Sequence, residues 1–166
     1  MKLIRVVILA VLAVGLAACG ERSKFRTYDG PEVTHINVHK AERRMDLMHH
    51  DKLLKRYRVD LGRNPVGQKK REGDGRTPEG VYFIDRRNPN SAFHLSLGIS
   101  YPDPSDQLRA KEAGDNPGGD IFIHGRGPRF QNANGDWTEG CIAVSDREME
   151  DIYAMVRVGT PIYITP

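Results

Sequence analysis

His124 and Cys141 are the two side chains whose types and spacing invite chemistry. They stand seventeen positions apart and bracket a loop of turn residues, with His124-Gly125 at one end and Thr138-Glu139-Gly140-Cys141-Ile142 at the other. A cysteine acts as a nucleophile through its thiolate. A free thiol titrates near about 8.5, so a neighbouring imidazole is the usual way to raise the reactive fraction near neutrality. A loop that closes on itself can bring the two within hydrogen-bond reach. Gly140 permits a tight turn just before the thiol, and the backbone N–H groups of such a turn can point at a developing oxyanion.

The second cysteine belongs to a different story. Lys2 and Arg5 precede an apolar run, Val6 to Ala18, that is too short for a bilayer crossing of about 20 residues. A charged start, a short apolar run and a small-residue end make an export signal. That end, Leu16-Ala17-Ala18-Cys19, resembles the bacterial lipobox. The resemblance implies cleavage before Cys19 and a diacylglycerol on its thiol. With Gly20 next, it also implies sorting to the outer membrane in enteric bacteria. A lipidated Cys19 leaves Cys141 without a partner, and a lone thiol in an oxidising compartment is a liability unless it is used or buried.

The 166 residues carry 25 basic and 22 acidic side chains, a formal +3. Removing Lys2 and Arg5 with the signal leaves 23 and 22, a net +1. That balance gives no reason to expect a nucleic-acid partner. The segment Lys52 to Arg71 is locally basic, read first as a solvated face and second as an attraction for an anionic polymer; its Gln68 to Arg71 part could offer cations to a substrate carboxylate if it folds over a cleft.

The elements that must position the pair follow from pattern. Thr34 to Val38 and Met45 to Met48 read as strands, and Asp51-Lys52 as a tight turn. Leu53, Tyr57, Val59 and Leu61 then alternate with Arg56, Arg58 and Asp60, the period of a half-buried strand. Residues 33 to 61 therefore predict an antiparallel meander. Gly62 to Gly80 is a long loop, a kind usually functional or mobile. Further strands are expected at Val81 to Ile84, Phe93 to Leu97, Asp120 to His124, Ile142 to Val144 and Pro161 to Thr165. A short helix fits Ser105 to Ala113. A second begins after Ser145, with Glu148 completing a capping box. Its face is Met149, Ile152, Tyr153 and Val156. The fold class is mainly β with one or two helices. The expected organisation is a signal peptide (1–18), a tether (19–32) and one catalytic domain (33–166).

Ile123-His124-Gly125 followed by Trp137-Thr138-Glu139-Gly140-Cys141-Ile142-Ala143-Val144 resembles the catalytic motif of the L,D-transpeptidase (YkuD-like, ErfK/YbiS) family. Asp74-Gly75-Arg76-Thr77-Pro78-Glu79-Gly80 is similar to that family's T-P-x-G loop, and Gly159-Thr160-Pro161-Ile162-Tyr163-Ile164 to its closing strand. The resemblance implies a β-sandwich-like catalytic domain acting on peptidoglycan stem peptides. It makes Cys141 the nucleophile, attacking the L-centre carbonyl of diaminopimelate in a donor stem. It makes His124 the proton acceptor and donor, oriented by the Gly125 carbonyl. The N–H groups of Glu139, Gly140 and Cys141 become candidates for the oxyanion hole. The thioester would pass to an amine, giving a cross-link, or to water. The implied setting is the periplasmic side of the envelope, in cell-wall biogenesis and cell shape.

Two positions depart from the family pattern. Many members carry His where Glu139 stands, and Arg or Asn where Ala143 stands. Both departures bear on the acceptor, so a hydrolase on the same scaffold is the alternative, and a non-catalytic peptidoglycan-binding lipoprotein a remote one. Substrate-binding candidates are Arg126 and Arg129, which can fork a carboxylate, together with Trp137, Thr138 and His94. His94 also reads as a structural strand residue and Trp137 as a core anchor. His35, His39, His49 and His50 lack further ligands at zinc-like spacing, so neither metal nor cofactor is expected. The membrane contact expected is the lipid on Cys19, and the expected oligomeric state is a monomer.

Overall fold

The computed structural model describes residues 23–166. The expected signal peptide and Cys19 lie outside the described residues. Strands β1 (His35–His39), β2 (Arg44–His49) and β3 (Lys52–Arg58) form the meander. Its turns are built on Arg43 and His50, at φ 50° and 49°. The alternation predicted for β3 fails at its start. A bulge sets Leu47 opposite Lys55 and Met48 opposite Leu53, leaving Leu54 as the extra residue. The inserted residue reverses the side-chain parity. Leu53 is therefore 40% exposed, and Leu54 packs against the core in its place.

The remaining strands are β4 (Gly80–Asn88), β5 (Ser96–Ile99), β6 (Phe122–His124), β7 (Ile142–Ala143) and β8 (Pro161–Thr165). They complete an eight-stranded sheet in the order β3-β2-β1-β8-β4-β5-β6-β7. The sheet curls on itself. Beyond β3 the chain reaches β7, where Asp60 and Ala143 exchange backbone hydrogen bonds of 2.9 and 2.8 Å. Gly62 then bridges Thr138. One apolar cluster fills the curl, drawing Ile36, Leu47, Leu97, Ile123, Ile142 and Ile164 from six strands.

Strand boundaries moved where backbone dihedrals forbid extension. Phe93 to Leu95 were expected in β5, but His94 sits at φ 75° and the strand starts at Ser96. Asp120, at φ 55°, delays β6 to Phe122 in the same way. Strand β4 runs four residues past the predicted end, beyond a bulge between Ile84 and Arg86. Helix α1 (Pro104–Glu112) begins with a capping box between Asp103 and Asp106. Helix α2 (Asp146–Met155) begins with the predicted Ser145–Glu148 box and buries Met149, Ile152 and Tyr153. The segment before β1 is tied to α2 by Arg26, which pairs with Glu150 and Asp151, and by Phe25, whose ring lies 6.3 Å from Tyr153.

The long loop 62–79 is held by internal polar contacts. Lys40, 2% exposed, donates to the Gly67 and Thr77 carbonyls at 2.8 and 2.9 Å and to Glu79 at 2.8 Å. Burial lowers the Lys40 pKa, and Glu79 opposes the shift. Asp74 accepts from the backbone N–H groups of Lys70, Arg71 and Arg76 and from the Lys69 ammonium. Burial acts to raise its pKa, but these bonds outweigh it and hold the carboxylate below its usual range.

Candidate active site

Cys141 stands one residue before β7, on a turn that three contacts fix. The Thr138 hydroxyl donates to the Cys141 carbonyl at 2.7 Å and accepts from the Gly140 N–H at 3.2 Å. The Thr138 N–H donates to the Leu61 carbonyl. Gly140 has φ 134°, a region only glycine occupies at low cost. A β-carbon there would lie 2.7 Å from the Arg76 carbonyl oxygen. The Thr-Pro loop and the Cys turn therefore touch backbone to backbone.

His124 closes β6, whose parallel partner β7 pairs it with Ala143. The ring is buried, 3% exposed as a residue. Its Nδ1 lies 2.6 Å from the Gly125 carbonyl. A carbonyl oxygen can only accept, so Nδ1 carries the proton and Nε2 is left as the basic nitrogen. The ring of Phe93 lies 4.4 Å away, and the Trp137 ring meets His124 edge-on at 5.7 Å. Burial lowers the His124 pKa, against the Gly125 hydrogen bond and the negative charge of Asp146.

The thiol is half-buried and donates to the Asp120 carbonyl at 3.5 Å. Burial pushes its pKa up to about 11. The Phe122 backbone and the Lys69 charge oppose that rise, while Asp120 adds to it. Both groups are therefore neutral near pH 7 rather than a preformed ion pair, and the thiol's hydrogen bond goes to the Asp120 carbonyl and not to the imidazole. They line one cavity of about 290 Å³ with Phe93, Ser96 and Phe122. Cys141 also lines a second cavity of about 290 Å³, with Lys69, Glu72 and Glu139.

The other sequence candidates scatter. The His94 ring turns to Glu150, 3.1 Å away, and borders neither cavity. Arg126 is engaged, donating to Asp60 at 2.6 Å and to the Ala133 carbonyl. Arg129 is exposed and lies 5.9 Å from the Phe130 ring. Trp137 stacks on Phe130 at 4.7 Å and donates to Asp60 at 3.2 Å. Thr138 shapes the Cys turn. The Gly140 N–H is already used by Thr138. Among the described residues, the Glu139 and Cys141 N–H groups have no protein acceptor.

Three contributors escaped the sequence. Phe93 reads as a strand residue, Asp120 as the start of a strand, and Arg63 as loop. Arg63 pairs with Glu139. The signal was faint: Gly118-Gly119 ahead of Asp120 marks a turn.

A family model described as the L,D-transpeptidase catalytic domain (YkuD) matches residues 33–164. The chain belongs to the YkuD L,D-transpeptidase family. YafK of Escherichia coli (strain K12), whose own assignment as an L,D-transpeptidase is provisional, is 27% identical over 128 residues, covering 74% of this chain and 46% of YafK. The chain thus spans about half the length of that curated relative. The YkuD fold is shared with the helical cell shape determining protein Pgp2 of Campylobacter jejuni (TM-score 0.64, 23% identity, 87% of this chain and 51% of that one). It is shared also with an L,D-transpeptidase of Mycobacterium smegmatis (TM-score 0.54, 13% identity, 81% and 59%).

Proposed function

We propose that this chain is a peptidoglycan L,D-transpeptidase that works through a Cys141 thioester. The observation that carries the reading is the pair itself. A neutral thiol and a neutral imidazole with a free Nε2 share one cavity, inside a domain of this family. His124 takes the thiol proton as Sγ bonds to the donor carbonyl carbon at the L-centre of diaminopimelate. The oxyanion is met by the Cys141 and Glu139 N–H groups, which are unengaged. Collapse breaks the bond to the terminal D-Ala, and the proton on His124 leaves with that amine. An acceptor amine then attacks the thioester, gives its proton to His124 and expels the sulfur, which is reprotonated from His124.

The departure at Glu139 is softened by its ion pair with Arg63, which reduces repulsion of an acceptor carboxylate. A role in cell-wall biogenesis and cell shape accords with the cell-shape function of the structural neighbour Pgp2. We further place the protein on the periplasmic side of the envelope, anchored by lipid on Cys19, on the strength of Leu16-Ala17-Ala18-Cys19.

The test is the product spectrum on tetrapeptide-bearing disaccharides. Dimers joined between two diaminopimelates are expected. Tripeptides alone, at every acceptor concentration, establish hydrolysis instead.

A further inference from the structure

We propose that loop 62–76 forms a carboxylate-binding site for the acceptor stem peptide, built from Lys70, Arg71 and Arg76. The inference rests on the transpeptidase reading above and assigns its second substrate a place. These residues and Asn64 line a cavity of about 460 Å³. Gly73 lines both this cavity and the chamber that ends at the Cys141 thiol, so the two adjoin. The Arg76 carbonyl touches Gly140 on the other side of the same loop segment.

The cations are presented by a built frame. Asp74 binds the backbone N–H groups of the same three residues, Lys70, Arg71 and Arg76, at 2.7, 3.2 and 3.0 Å. Its remaining capacity takes the buried Lys69 ammonium at 2.9 Å, and the Asn64 amide bonds the Asp74 carbonyl at 2.8 Å. The one carboxylate in the cavity is thus spent on the frame and on Lys69, not on the side chains of Lys70, Arg71 and Arg76. Among the described residues, Lys70 has no ion pair, and the acid nearest Arg71 is Asp115 at 4.0 Å. Arg76 gives one nitrogen to the Gln68 carbonyl at 3.2 Å, leaving the rest of its fork for a ligand. Three cations around one cavity, with their backbone preorganised, suit a carboxylate that must be held while a nearby amine reacts.

Binding is measured on the full chain carrying Cys141→Ala, so that turnover plays no part. The probe is a tripeptide stem with free carboxylates and an acetylated acceptor amine. Lys70→Glu combined with Arg71→Glu is expected to weaken binding by about tenfold or more, and Arg147→Glu on α2 to leave it unchanged. Equal affinity in the loop variant and the Arg147→Glu control overturns the site. On the unaltered loop, a probe with its carboxylates converted to carboxamides is expected to bind about tenfold or more weakly; equal binding of the two probes overturns the ligand class. This second comparison needs no loop variant to fold. In the active enzyme the acceptor concentration for half-maximal dimer formation is expected to rise by the same factor. A matching rise for the donor overturns the acceptor assignment. Acylation with no dimers from the unaltered enzyme defeats the transpeptidase reading instead, and the binding comparisons still decide whether the site exists.

Discussion

The Phe93 ring lies 4.4 Å from the His124 ring at an interplanar angle of 33°, on the wall of the cavity that holds the thiol. A buried imidazole disfavours its charged form, so His124 stays neutral. Asp146 is the charged group acting on it, in the opposite sense. Replacing Phe93 with alanine admits water to the ring. The lowered His124 pKa should then move back toward its ordinary value, and the acid limb of the acylation rate should shift to higher pH. A pH profile of Cys141 acylation checks this. An unmoved limb would remove Phe93 from the control of the base.

The thiol supplies a second pH test. With its pKa pushed up to about 11 by burial, the resting enzyme should show no thiolate absorbance at neutrality. Absorbance near 240 nm, corrected with Cys141→Ala, should appear only in strong alkali. A thiolate signal at pH 6–7 would mean that an ion pair forms before substrate arrives.

Gly140 is required twice, by its φ of 134° and by the Arg76 carbonyl. Gly140→Ala should cost about 1–3 kcal/mol of strain and displace the Cys turn, with acylation falling further than stability predicts. Thermal unfolding and acylation rate, measured on one preparation, separate the two effects.

Lys40 sits outside both chambers and holds the Thr-Pro loop from beneath. Lys40→Met strands the Gly67 and Thr77 carbonyls and the Glu79 carboxylate, so a loss of about 3–5 kcal/mol is expected. Chemical denaturation measures it. A loss below about 1 kcal/mol would show that the loop is held by other contacts.

Much of this arrangement was legible beforehand. The meander, the Ser145 cap and the closing strand rest on local rules, namely alternation and capping, which pairing overrides only at the start of β3. The chemistry-bearing pair stood out because glycine and turn residues isolate it. Leu53 misled because a bulge is a register event between two strands and leaves no mark in one of them. His94 and Asp120 misled because both adopt positive φ without being glycine, a conformation the surrounding structure imposes. Lys69 and Arg126 read as free cations, yet their partners Asp74 and Asp60 are recognisable only once the loops are folded.

The central claim is that acyl transfer passes through Cys141 with His124 as its base. Intact-protein mass spectrometry of the enzyme mixed with a tetrapeptide donor tests it most directly. The account predicts a donor-minus-D-Ala adduct on Cys141 that discharges to dimers when acceptor is added. It predicts no adduct in Cys141→Ala, and a rate about 10²–10⁴-fold lower in His124→Ala. An adduct that persists in Cys141→Ala, or an acylation rate unchanged in His124→Ala, would contradict it.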